Sequence, residues 1–196
     1  MANVNAPFGF MQYGSAGSVP TFQQSVRLIA PGDATPIYSG DPVSPNANGY
    51  ISRAVAGTVR VEGIFVGCKY QSVSQKRTLW MPYWPGVDAV GDVTAYVISD
   101  PGAMFKVQGG AAVLDRNNIG EYIQFNQGTG NPSTGRSGAW VETPATTVTL
   151  PFIIHGLITE PPGDNGTDLT TPYNLLIVGF NNQSYRTNGA GPVGIA

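Results

Sequence analysis

Short runs of alternating apolar and polar residues, punctuated by turn formers, dominate the chain. "SVRLIA" (Ser25–Ala30) alternates and closes at "PGD" (Pro31–Asp33). "TPIYSGDPV" (Thr35–Val43), "GYISRAV" and "TVRVEGIFVGCKYQSV" (Thr58–Val73) continue with a period of two, the side-chain period of a strand. "DVTAYVIS" (Asp92–Ser99) is a nearly unbroken β-branched and aromatic run, which predicts a strand buried on both faces. "AMFKVQ", "EYIQFN", "TTVTLPFIIHGLIT" and "YNLLIVGF" complete roughly ten candidate strands, separated by turns such as "QGTGNPSTGRSG" and "PPGDNGTD". No dozen-residue window holds a 3.6-residue apolar period free of Gly and Pro. The best helical candidate, Gly102–Asn118, is broken by Gly109 and Gly110. The pattern predicts an all-β protein, a compact β-barrel or sandwich.

The two ends depart from this pattern. Residues 1–25 are rich in Gly, Asn, Ser and Gln, with isolated rings at Phe8, Phe10, Tyr13 and Phe22. They read as an extended N-terminal arm that orders against a neighbour, or as a disordered terminus. Residues 26–180 form a single all-β domain, and residues 181–196 lose periodicity and read as an extended C-terminal tail.

Composition sharpens the picture. Charged residues are only 11% of 196, against about 25% in ordinary soluble domains, and Gly and Pro number 26 and 16. Few charges on a β body imply a surface used for association. Ten Lys and Arg in a chain of net charge −2 leave no cationic face for phosphates, which argues against direct nucleic-acid binding. No apolar run approaches the roughly 18 residues of a membrane helix. The N-terminus has no basic segment followed by an apolar core, so no secretory signal is expected. A lone cysteine, Cys68, cannot form an intrachain disulfide and suits folding in a reducing cytoplasm.

Candidate chemistry is sparse. The single histidine, His155, shares a period-two face with Ile153 and Leu157 and reads as a partly buried structural residue. Cys68 shares a face with Ile64, Val66 and Tyr70 and reads as a small buried hydrophobe. One Cys and one His cannot build a zinc site, and no metal or cofactor is expected. The oxygen-rich segments Asp41–Asn48 and Gly163–Asp168 lack calcium-loop spacing, and Gly128–Gly135 lacks the Lys-Ser/Thr of a phosphate loop. Asp88, Asp92 and Asp100 flank one strand as a hydrolase pair could, although surface turns explain them equally. No enzymatic activity is expected.

The stretch "SQKRTLWMPYWPG" (Ser74–Gly86) stands apart. Lys76 and Arg77 precede Trp80, Tyr83 and Trp84, with Pro82 and Pro85 between. Proline cannot donate to a sheet ladder, so the stretch predicts an irregular loop or a sheet edge. Trp, Tyr and Arg are enriched in interface hot spots, which makes this a candidate docking surface. The alternatives are that at least one of the two tryptophans is core, or that the rings form a sugar platform.

"YSGDPV" (Tyr38–Val43), "GYI" (Gly49–Ile51), "VEGIFVGCKYQSVSQKRTLWMPYWPG" (Val61–Gly86) and "DVTAYVISDPGAMFKVQ" (Asp92–Gln108) together resemble the cement, or decoration, proteins of short-tailed bacteriophage heads. The resemblance spans about residues 36–108. It implies a compact tulip-like or jelly-roll β body with an extended arm. It also implies a homotrimer on the outer surface of the icosahedral head, bound to the major capsid protein and stabilising the expanded shell against DNA pressure. Trp80, Tyr83 and Trp84 would then anchor the trimer or capsid contact. Lys76 and Arg77 would pair with partner carboxylates, and Phe8, Phe10 and Tyr13 would pin the arm. The rival function is a carbohydrate-binding or host-adhesion protein of the head or tail.

Overall fold

The computed structural model describes residues 2–15, 24–46, 48–159 and 168–184. In chain order the strands are β1 (Met11–Ser15), β2 (Gln24–Ile29), β3 (Ile37–Tyr38), β4 (Pro42–Pro45), β5 (Ile51–Arg53), β6 (Gly63–Gln71), β7 (Thr78–Met81) and β8 (Tyr83–Trp84). Then come β9 (Val93–Ile98), β10 (Ala103–Gln108), β11 (Tyr122–Ile123), β12 (Phe125–Asn126), β13 (Trp140–Val141), β14 (Phe152–Leu157) and β15 (Leu175–Phe180). Among the described residues the only helix is a 3₁₀ turn, Arg116–Asn118, capped by Asp115. None is long and apolar enough to cross a membrane.

The protein is all-β, with antiparallel sheets that do not close into a barrel, consistent with a β-sandwich. Sheet I has the order β1-β10-β15-β14-β11, and sheet II the order β2-β9-β6-β4-β5 with β7 paired to β6. Two small ribbons, β3-β8 and β12-β13, lie outside these two sheets.

Two cores result. The first gathers Phe105, Phe152, Phe180 and Val178 of sheet I with Phe125 and Val141 of the β12-β13 ribbon. Its rings interlock: Phe152 stacks on Phe180 at 5.7 Å, and Phe105 meets Phe180 edge-on at 5.1 Å. The second packs one face of sheet II, from Phe65, Cys68, Val93, Ala95 and Val97, against Ile37 and Trp84 of the β3-β8 ribbon. Strand β6 serves both, sending Ile64 to the first core and Phe65 to the second.

A β-bulge then resets which later residues of β6 face the second core. Phe65 pairs with Val97 and Gly67 with Tyr96, so Val66 is an extra residue and the side-chain phase shifts. Cys68 therefore packs with Phe65 and Tyr70, not with Ile64 and Val66 as unbroken alternation predicts. A second bulge falls at His155, between Ile154 opposite Val178 and Gly156 opposite Ile177. It turns His155 to an exposed position, correcting the expectation of partial burial. The imidazole lies over Gly179, where a Cβ would come within 2.4 Å of Nε2.

Strand β9 also differs from its sequence reading. Val93, Ala95 and Val97 are buried, but Thr94 and Tyr96 face outward and are half-exposed, because among the described residues no layer covers that part of sheet II, while Ile98 further along the same face enters the first core. At the ends, the arm is extended but lies on its own body. β1 pairs with β10, and the Asn3 amide donates to the carbonyls of Asp168 and Pro172. In the predicted tail, Gln183 is buried and donates to the carbonyls of Glu62 and Ser99 at 3.0 and 2.8 Å. Residues 185–196 and Phe22 lie outside the described residues.

A buried ion pair ties the loops between the cores. Asp41 is fully buried, with Arg53 Nε 2.9 Å from Oδ2, though not aligned as a hydrogen bond there. Ser137 Oγ donates to Asp41 Oδ1 at 2.6 Å, Tyr38 N–H to Oδ2 at 2.8 Å, and Arg53 Nη2 reaches the Gly128 carbonyl at 2.9 Å. Burial pushes the Asp41 carboxyl above its ordinary value of 3.8, against the pull of Arg53 and these donors. The folded protein thus holds this proton more tightly than the unfolded chain. The resulting stability is complete below 3.8 and is lost as pH rises through the raised value. Asp41→Asn removes this titration, so the stability of the wild type relative to the variant increases from neutral pH to about pH 4. Urea unfolding of both proteins at each pH checks it, and a gap that narrows on acidification contradicts it.

Candidate docking face

Ser74–Gly86 is not an irregular loop. It forms two short edge strands that Pro82 separates, β7 along β6 and β8 along β3. Because Pro82 breaks the ladder, the two strands join different sheets and send their aromatics in different directions. Lys76, with φ 51°, occupies the tight turn ahead of β7. Both Lys76 and Arg77 are exposed there, and the Arg77 guanidinium donates through Nε and Nη2 to Gln75 Oε1 at 3.1 and 2.8 Å.

The three predicted aromatic anchors separate. Trp80 is 59% exposed on the outer face of sheet II. Its six-membered ring lies over Gly67, where a Cβ would sit 2.9 Å from Cζ2, so only glycine admits the indole flat against the sheet. Tyr83 is half-buried and stacks on Tyr38 at 5.4 Å, with ring planes 9° apart. Trp84 is 0% exposed, packs edge-on to Tyr70 at 5.2 Å, and donates from Nε1 to the Asp33 carbonyl at 3.0 Å. It is a core residue with no surface to offer a partner, which corrects its reading as an interface anchor. The cause is the β3-β8 pairing, which turns Trp84 inward opposite Ile37.

The arm residues divide in the same way. Phe10 is 3% exposed and stacks on Phe152 at 4.6 Å, so it belongs to its own core and cannot pin the chain to a neighbour. Phe8 is half-buried beneath Lys106, whose Nζ lies 5.8 Å from the ring centroid. Tyr13 sits at the β1 bulge and is exposed.

Four residues join Trp80 that the sequence reading did not single out. Val26 pairs with Tyr96 and Tyr96 with Gly67; Leu28 pairs with Thr94, Thr94 with Lys69, and Lys69 with Trp80. These register contacts lay two rungs across sheet II, in which Val26, Leu28, Tyr96 and Trp80 present apolar surface beside the exposed Lys69. The same strand sends its charge inward: Arg27 Nε meets the nearly buried Glu62 Oε1 at 2.6 Å. The only sequence signal was "SVRLI" itself, where a lone Arg between Val and Leu left two equally regular phases.

Among the described residues, Cys68 and His155 stand apart. Cys68 is buried on sheet II, its thiol pushed up to about 12 by burial, and His155 is exposed on sheet I. The three aspartates are each engaged locally. Asp88 accepts from Ser72 Oγ at 2.6 Å, Asp92 from Tyr50 OH at 3.1 Å, and Asp100 from Gly102 N–H at 2.9 Å. Asp88 is held below the ordinary range by the Ser72 hydroxyl and the Ser74 N–H. Among the described residues no three His, Cys, Asp or Glu side chains gather as metal ligands. Comparison with protein-family models, curated proteins and solved structures found no match.

Proposed function

We propose that this chain is a non-enzymatic structural virion protein. It binds the outer surface of an icosahedral phage head as a homotrimer, against the major capsid protein, and stabilises the expanded shell against internal DNA pressure. The observation that carries the reading is the outer face of sheet II. There a β surface holds Trp80, Val26 and Leu28 open to solvent beside the half-exposed Tyr96, on a chain with few charges. Apolar surface of this kind marks association sites. A sheet face is already ordered, so docking costs little conformational entropy. Lys69, Lys76 and Arg77 add orientation against carboxylates more than affinity. A protein that binds only the expanded shell stabilises it by mass action. The motif resemblance over residues 36–108 points the same way.

Trp80→Ala tests the reading. Trp80 supports no core, so unfolding free energy changes by less than about 1 kcal/mol, while affinity for purified expanded heads falls at least about tenfold. Sedimentation of the variant with heads reads the affinity, and urea titration reads the stability. Wild-type head affinity in the variant, or a virion copy number far below that of the capsid protein, overturns the proposal.

A further inference from the structure

Beyond the C-terminal end of β10 the surface dips into a cavity of about 330 Å³, lined by Asn5, Pro7, Gly110, Ala111, Trp140 and Tyr173. Its walls are held from behind by one buried side chain. Gln108 accepts the Ala6 N–H on Oε1 at 2.9 Å, and its Nε2 donates to the Val4 carbonyl at 2.8 Å and the Tyr173 carbonyl at 3.4 Å. It therefore fixes the backbone on both sides of Asn5 and the backbone of Tyr173 together. Tyr173 N–H donates to Gly110 O at 3.1 Å, and Gly110 N–H to Val141 O at 2.8 Å, beside Trp140. The pyrrole edge of Trp140 lies against Gly110, where a Cβ would approach Cδ1 and Nε1 to 3.3 Å.

Tyr173 has φ 63°, a left-handed conformation that is uncommon for a bulky aromatic residue. Such a conformation is unfavourable in isolation and persists where the surroundings impose it. Here the imposed conformation makes Tyr173 one wall of the cavity.

Trp140 Nε1–H, the Asn5 carboxamide and the Tyr173 hydroxyl all lack a hydrogen-bond partner among the described residues. Among the described residues no Asp, Glu, Lys, Arg or His lines the cavity, so its described walls do not favour an ionic ligand. Flat aromatic and proline surface combined with a few neutral donors and acceptors is the arrangement of a small-molecule site. One ligand class offers both halves of the match: a pyranose ring, with an apolar C–H face for stacking and equatorial hydroxyls for the amide, indole and phenol. We propose that this cavity binds one neutral hexopyranose unit of a glycan. It shares no residue with the Trp80 face, so it stands or falls independently of head attachment.

The test uses the full chain labelled with ¹⁵N, whose three tryptophans give three indole N–H signals. Methyl glycosides of glucose, galactose, mannose and N-acetylglucosamine are titrated to about 20 mM, which saturates a millimolar site. At least one of them shifts the Trp140 signal, identified by its loss in Trp140→Phe, and leaves the buried Trp84 signal in place. Asn5→Ala, at an exposed position whose side chain the fold does not use, weakens that binding at least about fivefold. If Trp140→Phe fails to fold, backbone-linked assignment identifies the signal and Asn5→Ala alone carries the comparison. Four glycosides without a Trp140 shift, a shift confined to Trp80, or unchanged affinity in Asn5→Ala overturns the proposal.

Discussion

Trp84→Ala lowers the unfolding free energy by about 4 kcal/mol. The indole is fully enclosed, and its neighbours on β6 are held in the ladders of sheet II, so they close on the gap only partly. The truncation removes the edge-on contact with Tyr70 and leaves the Asp33 carbonyl without its Nε1 donor. Trp84→Phe separates these effects by restoring most of the ring while omitting the donor, and costs about 1–3 kcal/mol. Urea unfolding monitored by far-ultraviolet circular dichroism reads both values. A loss below about 1 kcal/mol for the alanine variant contradicts the core assignment. The contrast with Trp80→Ala is informative, because two tryptophans four positions apart then report on different properties, one on folding and one on association.

Phe10→Ala costs about 3–4 kcal/mol, and deletion of residues 1–10 costs at least as much. Phe10 contributes a stacked contact with Phe152 and an edge contact with Phe105 at 6.3 Å. The deletion also removes the Gly9 N–H bond to Ala139 O at 3.1 Å and the Phe10 N–H bond to Gly40 O at 3.0 Å. The N-terminal segment is thus a strap that closes the first core. Phe8→Ala, at a half-buried site, stays within about 1 kcal/mol and serves as the control. Thermal and urea unfolding of the purified variants give the comparison. A small loss for Phe10→Ala, with weakened self-association in its place, contradicts the strap and restores the reading of an arm that docks on a neighbour.

The strand content was legible because period-two patterning survives wherever one face is buried. β10, "AMFKVQ", alternates as its sequence does, and Gly109 and Gly110 end it where a helix is the competing reading. The bulges were not legible. One extra residue at Val66 and one at His155 reverse the facing of the residues after them, and neither carries a local mark such as glycine in the left-handed region. The candidate face was half legible. Trp80 was identified from residue type, but Val26 and Leu28 were hidden because Arg27 is the inward residue, stabilised by a Glu62 thirty-five positions away. Trp84 failed for a related reason: the chemistry of Trp80 and Trp84 is the same, and only the pairing partner of each short strand decides which one is covered. The cavity around Trp140 draws on four separated segments joined through Gln108, which no local pattern encodes.

Strand β6 carries a mechanical consequence. Its first residues anchor one core through Ile64 and the other through Phe65, while its later residues pair with β7 and β9. A load applied to Trp80 passes through the β7-β6 ladder into a strand clamped on both sides. To pull that strand free, the load must break several hydrogen bonds and both apolar contacts at once instead of unzipping them one by one. The body therefore behaves as one rivet, not as two hinged halves.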